Sequence, residues 1–138
     1  MAILVAYDGS EPAQKAVEHA FTTYPDEEIV LLRVIEAADG STGAGIMAAQ
    51  EMFRDREEEV SEELPEEIRE IVSDPDIDFR TETAVGKPAR EVVRFAEDND
   101  IDHIIIGSHG RSGLSRVLLG SVAEKIVRRA PVPVTVFR

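Results

Sequence analysis

The sequence contains no cysteine, and it has no long apolar run. Without thiols the chain can form neither disulfide bonds nor thiolate metal sites. Its longest apolar stretches fall far short of the roughly 20 residues that cross a bilayer, so no membrane partner is expected. The first residues carry no basic leader and reach Asp8 after one short apolar run, which favours a strand over a signal peptide. These absences predict a cytoplasmic protein.

Lysine is also scarce, and acidic residues outnumber basic residues. Three of the 15 basic residues are lysines (Lys15, Lys87 and Lys125), whereas 28 residues are Asp or Glu, which gives a net charge of −13. A surface of this sign repels phosphates, so no nucleic-acid partner is expected. Few lysines and few large aromatics beside many carboxylates predict a protein from a salt-adapted organism, since salt screens the self-repulsion. The alternative is an ordinary acidic protein.

Apolar patterning predicts a single domain over residues 1–138 in which strands and helices alternate. The expected strands cover residues 2–7, 28–35, 77–85, 100–106 and 131–137. The expected helices cover residues 11–22, 46–73, 89–98 and 122–129. Ser10 is a candidate N-cap for the first helix, and Pro65 is expected to kink or divide the second. Such alternation predicts an open, doubly wound parallel sheet with helices on both faces.

A glycine-rich loop between the fourth strand and the last helix holds the candidate site. Gly107, Gly110 and Gly113 lie in the loop, and Gly120 and Ser121 come directly before the helix. Backbone N–H groups of such a loop, together with the donors and positive dipole end of a helix N-terminus, hold anions. The pattern therefore indicates a nucleotide phosphate site, although glycines needed only to turn the chain would look the same.

Asp8, at the end of the first strand, is the second candidate feature. Ligands of open parallel sheets bind beyond the carboxyl ends of the strands, where the strand order reverses. If the first and fourth strands are neighbours, Asp8 and the glycine loop face one crevice. Two local alternatives remain open: Asp8-Gly9 is common turn chemistry, and Ser121 with Glu124 has the spacing of a capping box.

The spacing G-x2-G-x9-G-S, from Gly107 to Ser121, resembles the nucleotide-binding signature of the universal stress protein family. Asp8 after the first strand, a Gly-Lys-Pro turn from Gly86 and a C-terminal Pro-Val-Pro-Val-Thr-Val strand agree with it. The resemblance covers essentially the whole chain and is to the glycine-motif members that bind ATP. It implies a five-stranded sheet in the order 3-2-1-4-5, Rossmann-like and similar to adenine nucleotide alpha hydrolases.

The resemblance also implies which residues contact the nucleotide. Asp8 would lie near the ribose, and Val34 or its neighbour Ile35 would contact adenine partly through backbone atoms. The remaining implied contacts, with ribose and phosphates, are Gly107, Ser108, His109, Gly110, Arg111, Ser112, Gly120, Ser121 and Val122. No catalytic residue and no side-chain metal ligand is implied. The expected ligand is ATP, ADP or AMP, with Mg²⁺ or Mn²⁺ on its phosphates.

Hydrolysis has less support in the sequence than binding. The pattern G-x-x-x-x-G-K-[ST] does not occur, so the lysine that a P-loop uses on the β- and γ-phosphates is missing. No base stands out that would orient a water molecule. We therefore expect a nucleotide-responsive stress or regulatory protein that is at most a weak ATPase.

The alternative function is a dimeric interaction module that acts without nucleotide. In the implied strand order the C-terminal strand lies at an edge of the sheet, and its part from Val132 to Phe137 is the expected dimer contact. Its free N–H and C=O groups could pair with the same strand of a second copy across a two-fold axis. The resemblance likewise implies a homodimer.

Overall fold

The computed structural model describes residues 1–36, 44–72, 77–108 and 120–138. Within these ranges the strands are β1 (Ala2–Ala6), β2 (Glu28–Glu36), β3 (Arg80–Gly86), β4 (His103–Gly107) and β5 (Val134–Phe137). The helices are α1 (Glu11–Thr23), α2 (Ala44–Ile71), α3 (Pro88–Asp98) and α4 (Ser121–Arg129).

The five strands are parallel and lie in the order β3-β2-β1-β4-β5. Ile3 in the central strand β1 pairs with Ile29 of β2 on one side and with His103 of β4 on the other. The predicted fold class and strand order are therefore confirmed. Because β1 and β4 are neighbours, the strand order reverses between them, and a ligand crevice is expected at their carboxyl ends.

Two hydrophobic cores cover the sheet, one on each face. Successive side chains of a strand point to opposite faces. On one face Ile3 of β1 packs in a cluster with Leu64 and Ile68 of α2, to which α1 also contributes. On the other face Leu4 packs in a cluster with residues of α3 and α4, among them Ile126. Burial on both faces explains why the central strands are continuous apolar runs rather than alternating ones.

Helix α1 begins where its sequence signal predicts, whereas α2 does not divide where its sequence predicts. Ser10 caps α1 as predicted, its hydroxyl accepting a hydrogen bond from the Ala13 N–H at 3.3 Å. In contrast, α2 continues through Pro65 as one helix, so the predicted division does not occur. Leu64 and Ile68, on either side of the proline, are fully buried against the sheet, and this packing holds the helix together where one backbone hydrogen bond is missing.

Other boundaries also differ from the sequence prediction. Helix α2 begins at Ala44, inside the glycine-rich segment 39–45 that no helical pattern predicted, and β3 begins at Arg80 rather than at residue 77. Strand β5 is shorter than predicted because Pro131 and Pro133, which have no N–H to donate, precede it. Among the described residues, no helix combines the length and the apolar character needed to cross a bilayer.

Side chains on the α1 face hold β5 at the edge of the sheet. The His103 Nε2 and Thr135 Oγ1 atoms lie 2.7 Å apart and join β4 to β5. Burial, and to a smaller extent the neighbouring His19, lower the pKa of His103, which favours the neutral imidazole. The Phe137 ring packs on the His19 ring of α1, with 4.7 Å between the centroids. The edge strand is thus anchored on its inner side.

Candidate functional site

A cavity of about 290 Å³ opens at the carboxyl edge of the sheet, over the point where the strand order reverses. The ends of β2, β1 and β4 border it, together with the first turns of α3 and α4. This is the place where open parallel sheets bind ligands. Ile35, the alternative to Val34, is buried in the core and does not line this cavity. The other predicted site residues in the described ranges do line it: Asp8, Val34, Gly107, Ser108, Gly120, Ser121 and Val122. Four further predicted residues, His109, Gly110, Arg111 and Ser112, lie outside the described ranges.

The cavity has an apolar end and an end rich in hydrogen-bond donors. At β2 and α3 it is walled by Leu32, Val34 and Val92. At β4 and α4 it is bordered by glycines and small polar residues, among them Ser121, together with apolar side chains such as Ile126. Neighbouring strands lie about 4.8 Å apart, so the two ends are separated by about 10 Å with β1 between them. An elongated ligand with one apolar and one anionic end fits this arrangement.

Asp8 lies between the two ends and has a structural role as well. Its Oδ1 accepts a hydrogen bond from the Ser10 N–H at 2.9 Å, and Gly9 between them has a φ of +85°. The sequence alternative of turn chemistry is therefore confirmed. The same carboxylate is exposed and lines the cavity, so the turn positions Asp8 at the site. Contact of Asp8 with a ligand stays a prediction.

Tyr7, directly before this turn, packs in the core on the α1 and α2 side of the sheet and also lines the cavity, and it was not singled out from the sequence. The side chain is buried, and its hydroxyl donates a hydrogen bond to Glu67 Oε1 of α2 at 2.8 Å. Burial first, and the Glu67 hydrogen bond second, raise the pKa of Tyr7 far above its usual value. The phenol thus stays protonated and joins the end of β1 to α2. A tyrosine closing an otherwise aliphatic strand was the available sequence signal.

Gly107 has a packing role that the glycine pattern alone did not reveal. A Cβ atom at this position would lie 2.5 Å from the Pro12 carbonyl carbon and would also collide with the Ala13 backbone nitrogen. The absent side chain therefore allows the N-terminus of α1 to approach β4 closely. Gly107 also lines the cavity, and its predicted contact with ribose or phosphate remains a prediction.

Ser108 closes the base of the glycine-rich loop. Its side chain is buried, and its Oγ accepts a hydrogen bond from the Gly120 N–H at 2.8 Å. Its own N–H donates to the Phe137 carbonyl oxygen at 2.6 Å, which continues the β4–β5 pairing. The two ends of the segment between residues 108 and 120 are thereby held together. The sequence predicted a ligand contact for Ser108 and did not predict this structural role.

Helix α4 begins one residue earlier than a capping box at Ser121 requires, so that alternative is wrong. Gly120 occupies the N-cap position, with extended backbone angles, and Ser121 is already helical. Glu124, the expected partner of Ser121, instead forms an ion pair with Arg128 at 2.7 Å. No side chain among the described residues caps α4. Its first-turn N–H groups have no acceptor within the helix and lie at the cavity wall, where an anion can accept from them.

The charged residues in the described part of the cavity lining are all acidic. Asp8 and Glu36 are its charged residues, and none of the described lining residues is lysine or arginine. In these same parts of the chain, no group of three or more His, Asp or Glu side chains could hold a metal ion. The attraction that this lining offers an anion therefore comes from the N–H groups and the dipole of α4.

Comparison with known proteins agrees with this architecture. The model of the universal stress protein family matches residues 1–138. Universal stress protein MJ0577 of Methanocaldococcus jannaschii is 34% identical, with 99% of this chain and 93% of the relative covered.

Solved structures show the same fold. Universal stress protein UspA from Lactobacillus plantarum superposes with a TM-score of 0.82 at 24% identity, covering all of this chain and 97% of that one. The universal stress protein from Archaeoglobus fulgidus, solved in complex with dAMP, has a TM-score of 0.65 at 20% identity and covers 100% of this chain and 98% of that one. With a family model that matches every residue and a relative 34% identical over almost its whole length, this chain belongs to the universal stress protein family.

Proposed function

We propose that this chain binds an adenine nucleotide (ATP, ADP or AMP) in the cavity at the carboxyl edge of the sheet. Nucleotide occupancy would then regulate it as a stress or regulatory protein. The observation that carries the proposal is the N-terminus of α4, which no described side chain caps, at one end of a cavity whose other end is apolar. A phosphate suits the first end and a purine the second.

The order of the strands suggests the orientation of the nucleotide. The base would pack on Val34 at the end of β2, where the wall is apolar. The ribose would lie over the end of β1, where the Asp8 carboxylate accepts hydrogen bonds from hydroxyl groups. The phosphates would meet the first turn of α4 at Ser121 and Val122. The dAMP complex of the Archaeoglobus relative supports a purine nucleotide as ligand of this fold.

Phosphate binding in an acidic cavity needs more positive charge than α4 supplies. The helix dipole amounts to roughly half a unit charge, whereas ATP carries several negative charges. We propose that Mg²⁺ or Mn²⁺ on the phosphates supplies the rest, with Arg111 and the backbone around Gly110 completing the site. Since no lysine of the P-loop pattern is present, hydrolysis is slow or does not occur.

A titration of thermal stability tests the nucleotide proposal. With AMP, ADP or Mg²⁺-ATP at 100 times its Kd, the unfolding temperature is expected to rise by about 8 °C, because a ligand that binds the folded state adds about 2.7 kcal/mol of stability. Ribose 5-phosphate and inorganic phosphate are the controls, since they lack the base and should shift it far less. An unfolding temperature that does not change up to millimolar Mg²⁺-ATP would contradict the proposal.

An interaction module that dimerises and binds no nucleotide is the second candidate, and β5 favours it. The strand lies at the sheet edge, its four residues are half-buried, and it pairs on its inner side with β4. Residues 134–137 are free of proline and could pair antiparallel with a second copy. Dimerisation alone is compatible with nucleotide binding. A protein that elutes as a dimer and shows no thermal shift with any adenine nucleotide would favour this module.

We also propose that the protein is adapted to high salt. Its carboxylates crowd on the exposed side of α2, where Glu58, Glu59, Glu62 and Glu63 are all exposed. Their mutual repulsion falls as the screening length shortens from about 10 Å at 0.1 M to about 3 Å at 1 M salt.

We therefore expect the unfolding temperature to rise by several degrees between 0.1 M and 2 M KCl. The triple variant Glu58→Gln, Glu59→Gln, Glu62→Gln should show a smaller rise, because part of the repulsion is already removed. Differential scanning calorimetry at fixed pH measures both. A salt response equal in the two proteins would rule out α2 repulsion as the cause.

A further inference from the structure

Glu36 places a carboxylate at the outer limit of the apolar cavity wall. It is the last residue of β2, and residues two apart in a strand face the same side of the sheet. Leu32 and Val34, on that side, belong to the core between the sheet and α3. Glu36 continues their line past the end of β1, where it still pairs with β3, is exposed and borders the cavity.

Within the described residues the Glu36 carboxylate has no structural partner. The backbone of Glu36 pairs with Gly86 of β3, but no hydrogen bond or ion pair joins its side chain to another residue in these ranges. The other cavity carboxylate, Asp8, fixes the turn before α1 through the Ser10 N–H. Pro88, which also lines the cavity near the end of β2, has no N–H to offer. At this end of the cavity Glu36 therefore presents acceptor oxygens to whatever lies against Val34.

We propose that Glu36 is a specificity-determining residue that selects purines with an amino group at position 6. The inference rests on the nucleotide function proposed above, which puts the base at this end. A carboxylate accepts hydrogen bonds and cannot donate them. The 6-amino group of adenine is a donor, whereas guanine and hypoxanthine carry an acceptor oxygen there.

The position of the phosphate makes this selection effective. The first turn of α4 and the end of β2 are separated by two strand spacings, about 10 Å, with β1 between them. A nucleotide held by its phosphate at Ser121 cannot withdraw its base from Glu36 without losing one of the two contacts. In a 6-oxo purine the oxygen at position 6 would therefore face the Glu36 carboxylate. Two acceptors facing each other in a partly enclosed site are unfavourable.

AMP and IMP form the matched ligand pair for the test, because they share ribose and phosphate and differ at position 6. Isothermal titration calorimetry is expected to show AMP binding about tenfold more tightly than IMP to the unchanged protein. In Glu36→Gln, whose amide can accept from an amino group and donate to an oxo group, the ratio should fall towards one, chiefly through tighter IMP binding. Glu28→Gln, at the opposite end of β2, removes the same charge and should keep the original ratio.

The outcomes separate this inference from the function on which it rests. An unchanged AMP to IMP ratio in Glu36→Gln overturns the role of Glu36 and leaves nucleotide binding intact. Failure of the unchanged protein to bind either nucleotide overturns both proposals. If Glu36→Gln does not fold, Glu36→Ala serves instead: it should weaken AMP binding while leaving IMP binding equal or tighter. An equal loss for both nucleotides would contradict selection.

Discussion

Ser121→Asp is expected to stabilise the folded protein while weakening nucleotide binding. Ser121 is the first helical residue of α4, and its side chain caps nothing. A carboxylate in the first turn of a helix interacts favourably with the dipole, by about 0.5 kcal/mol. The same negative charge would lie within a few ångströms of the bound phosphate, where repulsion costs about 1.4 kcal/mol or more and lowers affinity about tenfold.

Damage to the fold would lower both stability and affinity, so a variant with higher stability and lower nucleotide affinity is hard to explain in that way. Chemical denaturation should show an equal or higher free energy of unfolding, and calorimetric titration with AMP should show the loss of affinity. Ser61→Asp, an exposed position on α2 away from the cavity at the carboxyl edge, introduces the same charge and should leave AMP affinity unchanged. Equal affinities in Ser121→Asp and the unchanged protein would exclude α4 as the phosphate site.

The fold could be predicted from the sequence because each element carries its own signal. The continuous apolar runs of β1 and β4 indicate strands buried on both faces, and the helices between them impose parallel pairing. The element signals leave the strand order open, and the family resemblance implies the order that makes β1 and β4 neighbours. Asp8 and Gly107 come together because this order is the observed one.

Long-range contacts explain what the sequence did not predict. Tyr7 meets Glu67 across 60 positions, and Ser108 meets Gly120 across 12. No local pattern encodes either pair. The capping box failed for a related reason: the S-x-x-E spacing is correct, but Gly120 already supplies the extended backbone that begins α4. A four-residue motif cannot show at which residue the helix begins, because the conformation of the preceding chain decides that.

Gly107 shows how one residue can fit a functional motif for a structural reason. If this glycine exists to let phosphate approach, Gly107→Ala should weaken binding and leave the unliganded protein as stable as before. The close approach of Pro12 and Ala13 predicts otherwise, because both colliding groups are backbone atoms that cannot rotate away. Either α1 moves off β4 or the strand distorts, and the turn that carries Asp8 moves with α1.

We therefore expect Gly107→Ala to destabilise the unliganded protein by about 3 kcal/mol or more, with an unfolding temperature about 10 °C lower. Gly9→Ala is the matched variant in the same turn region. It is strained by its φ of +85° rather than by a backbone collision and should cost about 1 kcal/mol. Thermal unfolding without nucleotide measures both. If Gly107→Ala without nucleotide were as stable as the unchanged protein and yet did not bind AMP, the role of this glycine would be ligand binding alone.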